Sequence, residues 1–320
     1  MKKFLSIAFV MVVALFILTA CGGNGNSGGG TTNGGQTADS NQTASDSNAG
    51  QTIPPEQTQP GNGNGQNEDG NGNDNNGQEN NGNGPEDDWP DIPVSDFRYI
   101  NDSELGGVVI TGYTGHEQRV RFPNEIGGVA VVGIRMDGQQ EVWSNANTII
   151  DVYIPNSVTS IGFGAFFNTS LTSVNIPNSV TIIGEAAFHQ SQLSSVTIPN
   201  SVTSIGERAF FNTHLTSVTI PNSVTSIGRE AFFSTPLTNL IIQNGTTSIG
   251  LGAFGFTQLT SVIIPNSVTS IGHRAFINTP LTSVTISNSE ISIEDEAFYN
   301  TYLDEPSRQS ISAINPNALN

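Results

Sequence analysis

The sequence predicts a β-rich solenoid of 22-residue coils, preceded by a disordered tether. The dipeptide Ala-Phe recurs seven times at intervals of 22 residues, from Ala165-Phe166 to Ala297-Phe298, and the residues between the copies are nearly the same each time. A fixed period of this length is typical of stacked coils, each of which buries its apolar face only against its neighbours. The tether is predicted from composition, because residues 22–88 hold almost no side chain that can enter a core.

The first residues have the arrangement of an export signal. Lys2 and Lys3 precede an uncharged apolar run of 15 residues, Phe4 to Leu18, which is shorter than the roughly 20 residues that cross a bilayer. The run ends in Leu-Thr-Ala before Cys21 and resembles the lipobox of bacterial lipoproteins. We therefore predict a lipoprotein signal peptide over residues 1–20 and a lipid on Cys21. An ordinary secretory signal with an incidental Cys, or an uncleaved anchor, is the alternative.

Residues 21–93 form the predicted tether. After Cys21 the segment is mostly Gly, Asn, Gln, Ser, Thr and acidic residues, and it contains no Lys or Arg. Such a segment cannot bury enough apolar surface to offset the entropy of ordering it. We predict a disordered, acidic tether, which either is a spacer that holds the C-terminal part away from a membrane or is a low-complexity segment with no selected length.

Seven repeat units are predicted over residues 149–302, each opening with a short strand. In one unit Val218 and Ile220 alternate with polar residues, as in a strand with one buried face. Pro221 ends that strand, because proline cannot donate to a ladder. A second extended piece has its apolar residues facing inward. Gly228 then leads into a single helical turn at the Ala-Phe pair. Elsewhere Glu294 replaces this Gly, and Gln243 and Ser287 replace the Pro, which suggests that neither residue is obligatory.

The flanks of the repeats predict two caps. Residues 94–148 contain strand-like pieces, Gly107 to Thr111 and Val129 to Ile134, and read as an N-terminal cap with a degenerate first repeat. Residues 303–320 echo half a repeat with one residue missing. We predict a C-terminal half-repeat cap there.

The repeat resembles a known family. Its recurrent residues, together with the lead-in Thr-Gly-Tyr-Thr-Gly at 111–115 and Phe-Pro-Asn-Glu-Ile-Gly-Gly at 122–128, are similar to the BspA-type leucine-rich repeats of bacterial surface proteins. The resemblance covers residues 97–320. It implies a leucine-rich-repeat solenoid and, for some members, adhesion to proteins of a host or a neighbouring cell.

A candidate binding face follows from the outward positions of the first strand in each unit. These positions form columns of Ser and Thr, which either mark a contact surface or merely tolerate a solvated strand. The apolar Ile241 and Ile263 interrupt the columns. The face we predict consists of Ser217, Thr219, Asn239, Ile241, Ser261, Ile263, Ser283 and Thr285.

Composition and motifs exclude several functions. The formal net charge of −18 argues against nucleic acid, and one Cys permits no Cys-based zinc site. The histidines fall at different repeat positions with no consistent Ser or Asp companion, so we predict no enzyme, no cofactor and no small-molecule substrate. Acidic residues crowd the C-terminal end without the spacing of a calcium loop. The histidines are His116, His189, His214 and His273.

These observations lead to one functional expectation and one alternative. We expect an extracytoplasmic, membrane-anchored bacterial lipoprotein at the cell surface, whose solenoid binds an extracellular protein or glycan. The alternative is a structural element of the envelope without a specific ligand. The uniform columns favour the alternative, whereas the irregularity at Asn239, Ile241 and Ile263 favours binding.

Overall fold

The computed structural model describes residues 89–137 and 146–320, which belong to one compact unit, Gln78–Asn320. The predicted signal peptide, the lipidation site Cys21 and the predicted tether up to residue 88 lie outside the described residues. Within the described ranges, no helix is both long enough and apolar enough to span a membrane.

The described chain consists mainly of short strands joined by turns. The one α-helix among these residues is α1 (Glu305–Ile314), and short 3-10 turns lie at Val94–Asp96, Ala146–Thr148 and Pro316–Leu319. The strands are β1 (Phe97–Asp102), β2 (Gly107–Tyr113), β3 (Arg119–Arg121), β4 (Glu125–Ile126), β5 (Val129–Ile134), β6 (Asp151–Tyr153), β7 (Ser160–Ile161), β8 (Ile182–Ile183), β9 (Ser204–Ile205), β10 (Ser217–Ile220), β11 (Ser226–Ile227), β12 (Asn239–Ile242), β13 (Ser248–Ile249), β14 (Ser261–Ile264), β15 (Ser270–Ile271), β16 (Ser283–Ile286) and β17 (Ser292–Ile293).

One continuous sheet runs along the stack and confirms the solenoid. Its strand order is β1-β2-β5-β7-β8-β9-β11-β13-β15-β17, with β4 paired to β5. From β7 onward each strand pairs in parallel with the strand 22 residues away, so that Ser226 aligns with both Ser204 and Ser248. Stacked coils of 22 residues each produce parallel pairing at this fixed step. We number the coils 1 to 7 from residue 149; coil 4 is 215–236, coil 5 is 237–258 and coil 6 is 259–280.

The second strand face is less continuous than predicted. It consists of the parallel pairs β3–β6, β10–β12 and β14–β16. Coils 2 and 3 have no strand at the equivalent segments 173–176 and 195–198, where Val174 and Val196 are only partly buried. The predicted first strand is therefore present in coils 1 and 4 to 7 and wrong for coils 2 and 3.

The single helical turn predicted at each Ala-Phe pair is wrong. The chain there makes successive tight turns, because residues on either side of the pair take a left-handed conformation that a right-handed helix cannot contain. In coil 4, Glu230 (φ 51°) and Ser234 (φ 58°) are such residues. The turns stack along the solenoid as well, since the Phe210 N–H donates to Ala231 O at 2.8 Å in the next coil.

The core is a column of phenylalanine rings, one from each coil. Neighbouring rings from Phe166 to Phe298 lie 5.1–5.4 Å apart and nearly parallel, and every one of them is inaccessible to solvent. Three residues after most of these phenylalanines lies a buried Thr whose hydroxyl donates a hydrogen bond to the main-chain oxygen of the Phe. In coil 4 the Thr235 hydroxyl donates to Phe232 O at 2.7 Å. Val224 and Ile227 also face inward as predicted.

The glycine that follows Ile227 and its equivalents is required inside the stack. A Cβ on Gly228 would lie 2.5 Å from the carbonyl carbon of Gly206 in the preceding coil, a distance that real Cβ contacts do not show. The sequence interpretation that this Gly is dispensable is therefore wrong for the middle coils. Glu294 is tolerated at the last one, where the side chain is exposed.

The N-terminal cap adds strands to the continuous sheet ahead of the first coil. β1 pairs antiparallel with β2, and β2 pairs in parallel with β5, which leads into coil 1. The strand-like pieces predicted from residues 107 and 129 are confirmed. The predicted tether boundary at residue 93 is too late, because the Trp89 ring lies 6.1 Å from that of Tyr153 and 4.6 Å from the Arg119 guanidinium. Trp89 therefore packs against β3 of the cap and β6 of coil 1.

The C-terminal cap is half helix and half repeat. The sequence predicts half a repeat at residues 303–320, but residues 305–314 form α1, whose Ile311 is fully buried. Asp304 caps this helix by accepting the Ser307 N–H at 3.0 Å. Hydrogen bonds from the Ser307 side chain and from the Ser307 N–H hold the pKa of the Asp304 carboxyl below its usual value. The rest of the segment matches the prediction, since Ala318 O accepts the Phe298 N–H at 2.8 Å as a repeat alanine does.

Candidate functional site

All eight residues of the predicted binding face lie on the outer side of β10, β12, β14 and β16. Seven are exposed and Ser283 is half-buried. Ile241 is 50% exposed and Ile263 is 67% exposed, at the same repeat position in successive coils. Thr219 lies opposite Ile241, and Thr285 lies opposite Ile263. Two exposed aliphatic side chains therefore occupy the same repeat position in successive coils, each paired with a threonine.

The parallel strands of this face are interrupted beside these isoleucines. β10 pairs with β12 over four residues, and β14 pairs with β16 over four, but no pairing joins β12 to β14. Coil 5 is tied instead to coil 4, because the Gln243 N–H donates to Ile220 O and the Asn222 N–H donates to the Gln243 Oε1, both at 3.0 Å. At the break lies a groove of about 560 Å³.

Sequence reasoning missed this groove, although a signal for it was present. Coil 5 has Gln243 where most coils have Pro, and Gly245 where all other coils have Ser. A Cβ on Gly245 would overlap the main-chain oxygen of Asn222, so only glycine permits this approach of coil 5 to coil 4. These two departures from the repeat act together, whereas either one alone looks like random variation of the repeat sequence.

A second aromatic column lies outside the phenylalanine core. Phe167, His189, Phe211 and Phe233 stack at centroid distances of 4.7–5.4 Å. Coil 5 has Gly255 at this position, and the next residue, Phe256, fills the gap at 5.0 Å from Phe233. The members are half-buried or buried except Tyr299 at the end of the stack. Packing between coils therefore accounts for this column.

His189 carries an unusual proton affinity because of this stacking. Burial between two aromatic rings, reinforced by the nearby Arg208 charge, lowers the pKa of the imidazole from 6.5 to about 4, against a smaller opposing effect of Glu230. The unfolded chain therefore binds a proton on His189 at a higher pH than the folded chain does. This difference makes stability fall as the pH drops from about 6.5 to about 4, and leaves it unaffected above that window.

We expect His189→Phe to remove that part of the pH dependence. A phenylalanine occupies the same position in coils 1, 3 and 4, so the variant keeps the stack. Denaturant unfolding at several pH values should show the wild type losing stability relative to the variant as the pH falls from 6.5 to 4. Parallel curves for the two proteins would show that His189 is protonated equally in both states. Carboxylates that titrate in the same pH range affect the stability of both proteins equally, so their contribution cancels in this comparison.

The charged residues of the repeats form structural ion pairs. Glu230 is almost fully buried and accepts from Arg208 Nε at 2.7 Å and from Arg229 Nε at 3.3 Å. At the C-terminal end Glu296 pairs with Arg274 at 2.8 Å, and Glu294 accepts the His273 N–H at 2.7 Å. Glu294 and Glu296, two of the acidic residues that crowd the C-terminal end, thus have partners within the stack. Across the described ranges no group of three or more His, Cys, Asp or Glu side chains could hold a metal ion.

The chain belongs to the BspA-type leucine-rich repeat family. The family model matches residues 138–254 and 181–304, which together cover just over half of the chain. Proteins of this family are leucine-rich-repeat surface proteins, typically involved in protein interaction or adhesion, and typically not enzymes. No curated protein matches the sequence.

Three of the solved structures that this chain matches are described as leucine-rich proteins. One from T. pallidum has a TM-score of 0.51 at 23% identity and covers 71% of this chain and 96% of its own. One from Bacteroides ovatus has 26% identity, 66% and 69% coverage and a TM-score of 0.40. A leucine-rich cell surface protein from Faecalibacterium prausnitzii has 23% identity, 73% and 94% coverage and a TM-score of 0.29. The first of these supports the leucine-rich-repeat solenoid fold.

Proposed function

We propose that this protein is a lipid-anchored cell-surface lipoprotein whose solenoid binds an extracellular macromolecule through the face of β10, β12, β14 and β16. The observation that carries the proposal is the exposure of Ile241 and Ile263, 50% and 67%, on a face that is otherwise Ser, Thr and Asn. Apolar side chains in this position are unfavourable in water, and they contribute to the binding free energy when an interface covers them. Family membership supports the same function.

The anchor in this proposal is the thiol of Cys21, the only Cys in the chain. Two or more acyl chains give stable membrane attachment, since each buried CH₂ contributes about 0.8 kcal/mol and a single chain is marginal. We expect Cys21→Ser to abolish incorporation of a labelled fatty acid and to release the protein from the membrane fraction. A Ser variant that stays membrane-bound and uncleaved would contradict the lipoprotein assignment.

The binding face is tested by replacing Ile241 and Ile263 together with Thr. Thr occupies the paired positions 219 and 285, so we expect the double variant to fold with unchanged stability. Extracellular-matrix and envelope components are first captured with the wild-type protein, and the affinity of each captured component is then compared between the two proteins. We expect the double variant to bind at least about tenfold more weakly, the effect of losing about 1.4 kcal/mol of contact.

Two outcomes would count against the proposal. Unchanged affinity at matched stability would place the contact elsewhere on the solenoid. Saturable binding to no envelope or matrix component would favour the structural alternative, which the uniform Ser and Thr columns of the other coils support.

A further inference from the structure

We propose that the groove at the break between β12 and β14, which is lined by residues of coils 4 to 7, binds an uncharged carbohydrate. The inference rests on the proposed function and names the ligand class of that face, since Ile263 belongs both to the predicted face and to the wall of the groove. The volume of about 560 Å³ lies within the usual range for small-ligand sites.

The polar lining of the groove is made of groups that both donate and accept. Carboxamides of Gln243, Asn244 and Asn266 line it together with the Ser287 hydroxyl. A carboxamide presents an N–H donor beside a C=O acceptor. Neighbouring hydroxyls of a sugar ring do the same, so one amide can bond two of them at once. Asn244 and Asn266 are exposed, as such a contact requires.

An apolar strip accompanies these polar groups. Ile263 and Pro265 line the groove, and Ile263 is largely exposed. One face of a pyranose ring consists of C–H groups and is suited to packing on such side chains, while the hydroxyls at its rim reach the amides. The mixture of a few polar groups with apolar surface is what orients a small ligand in a pocket.

The main chain in the groove favours a hydroxyl ligand over an extended peptide. In neighbouring coils Ile220 O accepts the Gln243 N–H and Ile264 O accepts the Ser287 N–H. The residue equivalent to these donors for Ile242 is Pro265, which has no N–H. The Ile242 carbonyl, whose residue lines the groove, therefore receives no such bond from Pro265, and Pro265 offers no N–H for pairing with a peptide strand. A sugar hydroxyl can donate to such an acceptor alone.

The charge of the site selects against acidic sugars. Every residue that lines the groove is uncharged, so no cation is present there to pair with a carboxylate or a sulfate. The chain as a whole carries a formal charge of −18, which repels anionic ligands. Neutral and acidic oligosaccharides are thus expected to behave differently.

The experiment is calorimetric titration of the full chain in detergent with two sets of oligosaccharides. Neutral probes are tetramers of mannose, glucose and N-acetylglucosamine; acidic probes are a hyaluronan tetramer and sialyllactose. We expect saturable binding of at least one neutral probe and none of the acidic probes. Asn266→Leu should weaken that binding by about tenfold or more, as loss of a bidentate amide contact predicts. The matched control is Asn200→Leu, at the same exposed repeat position in a coil that does not line the groove, and it should bind as the wild type does.

Several results would overturn the inference. These are failure of every neutral probe to bind, equal binding of the acidic probes, and equal losses for the Asn266 and Asn200 variants. If a captured protein instead binds in a manner that depends on Ile241 and Ile263 while neutral sugars do not bind, this inference fails and the proposed binding face stands. If neutral sugars bind through Asn266 and Ile241→Thr changes nothing, the groove is the site and the outer face is not.

Discussion

Replacing Phe210 with Ala should lower the free energy of unfolding by about 3–5 kcal/mol, the range for deleting a buried aromatic ring. The Phe210 ring is fully buried between Phe188 at 5.3 Å and Phe232 at 5.1 Å, nearly parallel to both. The coils on each side are fixed by main-chain hydrogen bonds, such as Phe210 N–H to Ala231 O, and cannot close on the cavity. Chemical denaturation of the two proteins measures the loss.

The adjacent residue supplies the control for this prediction. Phe211 is half-buried and stacks in the outer column on His189 at 4.7 Å and Phe233 at 5.4 Å. Phe211→Ala removes a ring of the same size that already meets water on one side, so we expect a clearly smaller loss. Equal losses for the two variants would mean that the inner column does not dominate the stability of the stack.

Those features of the fold that follow from periodicity were predictable from the sequence. The 22-residue spacing predicts parallel stacking, and the inward Val224, Ile227 and Phe232 are all buried. The turn at the Ala-Phe pair was not predictable in the same way. Its left-handed residues include Arg208, Glu230 and Gln190, which carry no sequence signal for that conformation; neighbouring coils impose it through hydrogen bonds that the local sequence does not show.

At the C-terminal cap the sequence pattern correctly predicted that Ile311 is buried, but it predicted the wrong backbone conformation. Residues 310–314 echo the apolar spacing of a repeat, and Ile311 is buried as the echo predicts. However, Asp304 and Pro306 provide an N-cap and a first-turn proline, which start a helix where a repeat would continue extended. Local capping outweighed the weak resemblance to half a unit.

The candidate site was predictable in position and not in shape. The alternation of the first strand places Ile241 and Ile263 outward, and the structure has them exposed. The groove depends on the spacing between coils, which is set by contacts 22 residues apart in the chain. The sequence shows Gln243 as a departure from the repeat, but only the structure shows that its side chain binds the main chain of Asn222.

Replacing Gly245 with Ser should destabilise the protein although Ser is the repeat residue at that position. Substitutions toward a repeat consensus commonly stabilise. Here a Cβ on Gly245 would overlap the main-chain oxygen of Asn222. This atom belongs to the backbone and cannot rotate away as the end of a flexible side chain could. Backbone must move, which typically costs about 1–3 kcal/mol or more. We expect the denaturation midpoint to fall accordingly.

The same variant also tests how the groove arises. The Gly245 N–H donates to the Ser267 Oγ at 3.0 Å across the gap between coils 5 and 6, while the Cα side faces coil 4. A side chain at residue 245 should push coil 5 away from coil 4 and toward coil 6, which breaks the Gln243–Asn222 bond and narrows the groove. A midpoint equal to or above that of the wild type would show that coil 5 can adopt the spacing of its neighbours, and that glycine is not what holds the groove open.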